Sequence, residues 1–344
     1  MTDHTAAWSV VWPDDGERVK QRAPSELSAE MTLVEFFWQY AWPDCLQPKG
    51  DSPATRKDYA KSLDYWAEFT GNPPIEKIDK RTCSKFLRLL RGVRGQRGEV
   101  LSQNTVFKHW TNIQRLLDWT GPQGRGNRNG TDLVQNPPWI EAPRKEFAAP
   151  KRAFTLEELW TWLTALPKVA RPMPKVPAFE PAAWWRAVIL LGYNTGMRPG
   201  TLFRIRWEMF EENALRIPTS IIKGKHGRLL CVNDAAREAI EPLRRATGLV
   251  FGWENWPEAD TTLKKHRERQ QREAGLSPLS LYGLRRTFAT ECGKINPLAA
   301  QIMMGHQGLG MQMMVNHYID AEQLLSEALS RLPQPGLPRQ KLLF

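Results

Sequence analysis

The sequence predicts a mainly α-helical protein of two domains, with a small antiparallel β-sheet among the helices of the second. Three observations lead to this prediction. Apolar residues recur at three- and four-residue steps in several segments that begin with a capping side chain. Short apolar runs flank a glycine turn between residues 215 and 232. A stretch rich in Gly, Asn and Pro, residues 121–150, separates two regions that are each long enough for a domain.

Composition narrows the class of protein. Hydrophobic residues make up 41% of the 344 residues, which suffices for buried cores, and no apolar run is long enough to span a bilayer. Asp14, Asp15 and Glu17 lie where a signal peptide would be apolar. The four cysteines lack metal-binding spacing and indicate reduced thiols. We therefore expect a cytoplasmic protein without a membrane partner.

Four amphipathic helices and no strands are predicted for residues 28–120, after a flexible tail of residues 1–27. The first helix begins at Thr32, where Glu35 completes a capping box, and Pro43 is expected to break it. The other three begin near Ser52, Asp79 and Ser102. Residues 121–150 are predicted to be a linker that Gly and Asn loosen and Pro stiffens near its end.

The second domain is predicted to span residues 151–332 and to be followed by a tail, residues 333–344. It begins with a second capping box, Thr155 with Glu158. Later segments return to helical periodicity, and the last helix is expected from Ala321 to Leu332. The strands of the small sheet are predicted at residues 215–217, 220–222 and 229–232.

The charge of the chain points to a polyanion, most simply nucleic acid. Of the net charge of +11, residues 1–150 carry +2 and residues 151–344 carry +9. Two basic helical patches are candidates for contacts with a phosphate backbone, although each is equally compatible with an ordinary solvated face. Their members are Lys85, Arg88 and Arg91 in the first half and Lys264, Lys265 and Arg267 in the second.

Five further side chains form an inventory suited to attack on a phosphodiester. Two guanidiniums, Arg198 and Arg285, suit the charge of a pentacovalent transition state. Lys223, beside a turn, suits protonation of the leaving oxygen, and Lys225 is its competitor. His306 follows a glycine and can donate a hydrogen bond. Tyr318 is the candidate nucleophile, since nearby cations favour a phenolate. This chemistry requires neither a metal ion nor another cofactor.

The order of these residues and the short motifs around them resemble those of the tyrosine site-specific recombinases, or phage integrases, over roughly residues 28–330. The residues that carry the resemblance are Thr195-Gly196-Met197-Arg198, Lys223, Tyr282-Gly283-Leu284-Arg285-Arg286, Met304-Gly305-His306 and Tyr318. The resemblance implies a helical core-binding domain, a mixed α/β catalytic domain and strand exchange through a 3′-phosphotyrosyl bond. It also implies double-stranded DNA with paired recognition sites as the partner, a homotetramer on that DNA and a place at the nucleoid.

The sequence departs from the family pattern at four positions. Tyr282 stands where the family has a histidine that assists proton transfer, and a phenol retains a hydrogen-bond donor. Thr201 stands where many members carry an acid that orients the first arginine. Arg286 replaces a common histidine. Tyr318 follows His306 by 12 residues, a few more than is usual in the family.

Three questions stay open at the level of sequence. A type IB topoisomerase shares the chemistry but relaxes a single duplex, and the helical first domain argues against it. A DNA-binding relative without cleavage activity is the alternative from a non-enzyme class, and it would bind DNA without a covalent adduct. The C-terminal helix either packs on its own domain or docks on a neighbouring protomer, as the resemblance implies.

Overall fold

The computed structural model describes residues 27–49, 52–95, 98–146, 151–173, 176, 179–211, 214–222, 227–253, 256–305 and 321–336. The chain divides into two compact units, residues 1–149 and 150–344, and each has its own hydrophobic core. The prediction of a mainly helical chain with a small antiparallel sheet is confirmed. None of the described helices is long and apolar enough to cross a membrane.

The helices of the first unit begin where their capping side chains predict. The hydroxyl of Thr32 accepts a hydrogen bond from the amide of Glu35, whose carboxylate accepts one from the amide of Thr32. Ser52, Asp79 and Ser102 each accept the amide three residues on. The four helices are α1 Leu33–Phe36, α2 Pro53–Thr70, α3 Lys80–Gly92 and α4 Gln103–Thr120.

The expectation that Pro43 breaks the first helix is wrong. The chain continues from α1 as a π-helix, Phe37–Leu46, that includes Pro43. A proline ring clashes with the carbonyl one turn earlier in an α-helix, so the segment passes through Pro43 in wider turns. Burial favours this continuation, because Ala41 and Cys45 lie in the core and the ring of Phe37 stacks on Tyr59 with centroids 5.5 Å apart.

Most of the predicted linker belongs to the first unit. The amides of Thr131 and Val134 donate to the carbonyls of Trp119 and Thr120 at the end of α4. Apolar side chains farther along pack against the core of this unit, namely Leu133, Val134, Ile140 and Ala142. The glycines and asparagines therefore form folded turns, and the prediction of a loose connection over the whole of residues 121–150 is wrong.

A buried histidine in this unit makes its stability dependent on pH. His109 is 4% exposed, and its Nδ1 lies 2.8 Å from the hydroxyl of Ser62. That hydroxyl donates to the carbonyl of Asp58, so Nδ1 is the donor in the pair. Burial, and then the charge of Lys108, lowers the pKa of His109 to about 4. The folded unit therefore holds His109 neutral where an unfolded chain would bind a proton.

We expect the free energy of unfolding to fall as the pH falls from about 6.5, the ordinary histidine pKa, to about 4. The unfolded state binds the proton first in this window, and the loss reaches about 3 kcal/mol at its lower end. Urea-induced unfolding of the native chain and of His109→Gln, above and within the window, measures it. Carboxylates titrate in both proteins, so a glutamine variant with the same pH dependence would contradict the role of His109.

The second unit contains eight α-helices among its described residues and places one of them at its centre. Helix α6 is buried along most of its length, and Trp184 and Trp185 on it pack with aromatic rings of neighbouring segments. Thr155 and Glu158 form the predicted capping box at the start of α5. The helices are α5 Leu156–Val169, α6 Pro181–Thr195, α7 Pro199–Leu202, α8 Asp234–Ile240, α9 Trp256–Glu273, α10 Tyr282–Ile295, α11 Pro297–Met304 and α12 Ala321–Ser330.

The sheet of this unit begins with a strand that the sequence did not predict. Its strands are β1 Phe210–Glu211, β2 Ala214–Ile217 and β3 Arg228–Cys231, in the order β1-β2-β3 and antiparallel. The predicted strand at residues 220–222 is wrong, because Thr219–Ile221 is a 3₁₀ turn. Pro218 has no N–H to extend the ladder, and the amide of Ile221 donates back to the carbonyl of Pro218.

In the single chain, the C-terminal helix packs on its own unit, as one of the two alternatives predicts. Leu325, Ala328 and Leu329 of α12 are buried in the core. The chain remains attached beyond the predicted boundary at residue 333, since the hydroxyl of Tyr193 donates to the carbonyl of Pro333 at 2.6 Å. Gln334 donates to the side-chain oxygen of Asn194 at 2.7 Å. The predicted tail thus begins with an anchored segment.

Candidate functional site

The first candidate arginine, Arg198, follows the sharp end of α6. Gly196 ends that helix in the left-handed region, with φ of 60°, and the ring of Phe288 occupies the space that a Cβ would need. Met197 is buried, while Arg198 is half-buried. Within the described part of the chain, the Arg198 side chain has no hydrogen-bond or ion-pair partner. Its guanidinium is therefore available to an anion.

Thr201 is joined to Arg198 by a backbone hydrogen bond. Its amide donates to the carbonyl of Arg198 at 2.9 Å, as part of the single-turn helix α7. An α7 of four residues is too short to have a strong macrodipole, so its N-terminus contributes little to binding an anion.

The second candidate, Arg285, lies on α10 and is 6% exposed. It donates from Nη1 to the carbonyl of Gly196 at 2.6 Å and from Nη2 to the carbonyl of Met304 at 2.9 Å. Burial, followed by repulsion from Arg198 and Arg228, lowers the pKa of Arg285 to about 10, and Tyr282 acts in the opposite direction. The group stays charged at neutral pH. Arg285 thus connects the turn before Arg198 with the end of α11.

A third guanidinium, Arg228, joins these two and was missed by the sequence analysis. It begins β3, and it donates to the carbonyls of Met304 at 3.0 Å and Gly305 at 3.4 Å. Burial, and then the charge of Arg198, lowers the pKa of Arg228. Its position directly after Gly227, where the hairpin returns, is the signal that could have identified it.

Tyr282 and Arg286 differ in their relation to this cluster. Tyr282 is the first residue of α10 and is 49% exposed, and its influence on the pKa of Arg285 indicates proximity. Arg286 donates instead from Nε to the carbonyl of Arg152 at 2.9 Å. The structure thus brings Arg198, Arg285 and Tyr282 together among the predicted residues. Lys223, Lys225, His306 and Tyr318 lie outside the described residues.

The three guanidiniums form a cluster of positive charge, which suits an anion. Arginines remain charged at neutral pH and present planar pairs of donors to phosphate oxygens. Arg198 lowers the pKa of both Arg228 and Arg285, so the three charges interact unfavourably at close range. An anion bound among them would relieve this repulsion. In the sequence, Lys223 directly follows Ile222 and His306 directly follows Gly305.

The two predicted basic patches differ in how their charges are compensated. Lys85, Arg88 and Arg91 on α3 are exposed, and none forms an ion pair with a described residue. On α9, Lys264 and Arg272 both lie within 4.0 Å of Glu268. Lys265 is exposed on the same helix. The α3 patch is therefore the better candidate for binding an extended polyanion.

Arg267 does not fit the prediction that it contacts DNA. The residue is 6% exposed, and its Nη2 lies 3.2 Å from a carboxylate oxygen of Glu268. A buried guanidinium that is already paired does not present its charge to a polyanion. The helical spacing of α9 turns Arg267 toward the core beside Leu263, which is 1% exposed, so the correction follows from the face on which it lies.

Residues 172–323 match the model of the phage integrase family. This range contains the three guanidiniums, Tyr282, and the segments that hold Lys223, His306 and Tyr318. No curated protein sequence is significantly similar to the chain.

Solved structures with the same fold include DNA-bound integrases and recombinases. A lambda integrase dimer bound to a COC' core site matches with a TM-score of 0.55 and 17% identity, over 81% of this chain and 96% of that chain. XerH bound to a palindromic difH substrate after cleavage matches with a TM-score of 0.53 and 19% identity, over 89% of this chain and 92% of that chain. The Tn1549 transposon integrase with transposon right-end DNA matches with a TM-score of 0.56 and 14% identity, over 87% of this chain and 98% of that chain. At these identities the matches establish the fold.

Proposed function

Because residues 172–323 are a domain of the phage integrase family, the tyrosine site-specific recombinases, we propose that the chain cuts and rejoins DNA strands through a 3′-phosphotyrosyl intermediate on Tyr318. The observation that carries the proposal is the meeting of Arg198 and Arg285 beside the carbonyl of Gly196 and the end of α11. Both guanidiniums come from the motifs in which the sequence predicts a phosphate site.

The proposed cleavage step transfers a phosphoryl group from DNA to the enzyme. Tyr318 attacks the phosphorus as a phenolate, after its proton has passed to water, and the bond from phosphorus to the 5′ oxygen breaks. Lys223 donates a proton to that departing oxygen. Arg198 and Arg285 stabilise the negative charge on the non-bridging oxygens, the largest expected catalytic contribution. His306 and Tyr282 donate hydrogen bonds to the same oxygens.

Rejoining reverses these roles. A 5′ hydroxyl from a second strand attacks the phosphotyrosyl bond, Lys223 accepts its proton, and Tyr318 leaves. The covalent bond retains the energy of the phosphodiester, so strand exchange needs no nucleotide hydrolysis. Arginine and lysine supply the positive charge that the transition state requires, and the proposal assigns no metal ion or cofactor.

The proposed partner is double-stranded DNA with paired recognition sites, at the nucleoid. Lambda integrase, which shares the fold, has been solved as a tetramer bound to a Holliday junction. We propose a homotetramer on DNA for this chain as well.

Covalent trapping tests the proposal. A suicide DNA carries a nick that lets the short strand downstream of cleavage diffuse away, so that the phosphotyrosyl adduct accumulates. The proposal predicts an adduct with the native chain on its cognate site and exchange between two sites. Relaxation of supercoils without two-site exchange would favour the topoisomerase alternative. Tight binding to the site without any adduct would favour the inactive DNA-binding alternative.

The α3 patch is expected to bind the DNA backbone outside the cleavage site. Replacing Lys85, Arg88 and Arg91 together by Ala should reduce the salt dependence of DNA affinity, measured as the slope of log K against log salt, by about two to three. Each phosphate contact releases counterions from the DNA, so the slope counts contacts. Fluorescence anisotropy with duplex DNA at several salt concentrations measures the slope.

A triple variant of α9 provides the matched control. Replacing Lys264, Arg269 and Arg272 by Ala also removes three positive charges, but these side chains lie within 4.0 Å of Glu268 or Glu273. We expect the slope to change by less than about one. A larger change in the α9 variant than in the α3 variant would reverse the assignment of the two patches.

A further inference from the structure

The last turn of α11 ends in an unusual set of hydrogen bonds. The final carbonyls of a helix have no partner within the helix, so other groups must satisfy them. The carbonyl of Met304 accepts from two guanidiniums, Arg228 at 3.0 Å and Arg285 at 2.9 Å. Arg228 also donates to the carbonyl of Gly305 at 3.4 Å. One planar group from β3 thus holds two successive carbonyls immediately before His306.

Gly305 is matched to Arg228 in shape. Its φ is 64°, in the left-handed region, and its amide donates to the carbonyl of Ile302 at 2.9 Å. A Cβ on Gly305 would overlap the guanidinium of Arg228. An alanine here would therefore strain the backbone and displace the Arg228 side chain from its position.

This arrangement holds a positive charge in an unfavourable place. Arg228 is half-buried close to Arg198 and Arg285, and it forms no ion pair within the described residues. Its partners at α11 are neutral carbonyls, which offset the repulsion only in part. A charge kept at such a position indicates a functional requirement.

We propose that Arg228 is a positioning residue, which locks the Met304–Gly305 turn and thereby orients His306 and Arg285 toward the phosphate. The roles of His306 and Arg285 rest on the proposed function, whereas the locking of the turn does not. Arg228 and Arg285 both donate to the carbonyl of Met304. Loss of Arg228 would therefore change the hydrogen bonding that holds Arg285 and the turn before His306. The planar fork of arginine spans two carbonyls, which a lysine ammonium cannot do in the same way.

Hydrogen exchange tests the lock independently of catalysis. In Arg228→Ala, the amides of residues 301–305 should exchange at least about tenfold faster, because the turn opens more readily. The rest of the second unit should keep its exchange pattern. Arg216→Ala is the matched control: Arg216 lies on the adjacent strand β2, pairs with Glu211 at 2.7 Å and is exposed. Its removal should leave the amides of residues 301–305 unchanged.

Single-turnover cleavage of suicide DNA tests the consequence for the reaction. At saturating DNA, Arg228→Ala should cleave about 100-fold more slowly, as expected for a displaced catalytic group, with DNA affinity within about threefold of native. Arg228→Lys should be intermediate, whereas a role of charge alone would leave it fully active. Arg216→Ala should cleave at about the native rate.

Gly305→Ala provides a second route to the same defect. Displacing the Arg228 side chain should slow cleavage to a similar extent. Combining Gly305→Ala with Arg228→Ala should then lose less than the product of the two single effects, because both changes break one contact, although the left-handed backbone at Gly305 adds a cost of its own. If the rate loss of the double variant equalled the product of the two single losses, the proposed contact would be overturned.

The outcomes separate this inference from the proposed function. Unchanged exchange at residues 301–305 in a folded Arg228→Ala or Arg228→Lys overturns the lock. Faster exchange with unchanged cleavage overturns its catalytic importance. Equal losses in Arg216→Ala would reduce the effect to one of general charge. A native chain that never forms an adduct overturns the proposed function and the catalytic half of this inference, while exchange still decides whether Arg228 locks the turn.

Discussion

Tyr318→Phe is expected to abolish the covalent adduct with DNA, with a loss in cleavage rate of at least about 10⁴. Phenylalanine has no oxygen to attack the phosphorus, and its ring otherwise preserves the shape of the side chain. The measurement compares accumulation of the adduct on suicide DNA for the native and variant chains. Binding to the same duplex should stay near the native value, because the lost hydroxyl acts mainly in the reaction.

Tyr282→Phe is the matched control for the nucleophile. Tyr282 is exposed near Arg285, and its phenol is proposed to donate one hydrogen bond to the phosphate. Losing that bond should slow cleavage about tenfold and leave the adduct intact. An adduct that survives in Tyr318→Phe and disappears in Tyr282→Phe would move the nucleophile to Tyr282.

Arg285→Met is expected to reduce the cleavage rate by about 10² to 10³, the usual effect of removing a donor to a charged transition state. We expect the free energy of unfolding to change by less than about 1 kcal/mol. The variant loses two hydrogen bonds to carbonyls, but it also removes a buried charge and its repulsion from Arg198 and Arg228. Single-turnover cleavage and urea-induced unfolding measure the two effects.

Arg286→Met is the control for this prediction. Arg286 is the next residue on α10 but donates to the carbonyl of Arg152, away from the three guanidiniums. Its replacement should leave cleavage within about threefold of native, since it contacts none of the reacting groups. If Arg285→Met unfolded the second unit, its loss of activity would reflect stability, and Arg285→Lys would then be the variant to compare.

The α3 patch and Arg267 illustrate how burial changes the reading of charge. Both helices carry basic residues at short intervals, and the sequence alone treats them alike. On α3 the charges are exposed and have no described ion-pair partner, whereas on α9 Glu268 compensates several of them. Which face of a helix packs on the core depends on its neighbours, and those neighbours are distant in sequence.

The sequence by itself determined the local structure and the inventory of the site. Capping boxes at Thr32 and Thr155 predict where helices begin, because a cap satisfies backbone donors within one turn. Apolar periodicity predicts the helical class because it, too, depends on residues that are close together in the sequence. Arg198 and Arg285 were identified from their motifs, and the structure brings their segments together at Gly196.

Only the tertiary structure decided which groups surround those two arginines. Arg228 reaches the site because β3 lies beside the end of α11, and no local pattern encodes that contact across 76 residues. Long-range packing likewise carries the chain through Pro43 and folds the segment after α4 onto the first unit. Hydrogen bonds and buried area formed between distant segments outweigh local preferences there, and distance along the chain is why the sequence alone did not reveal them.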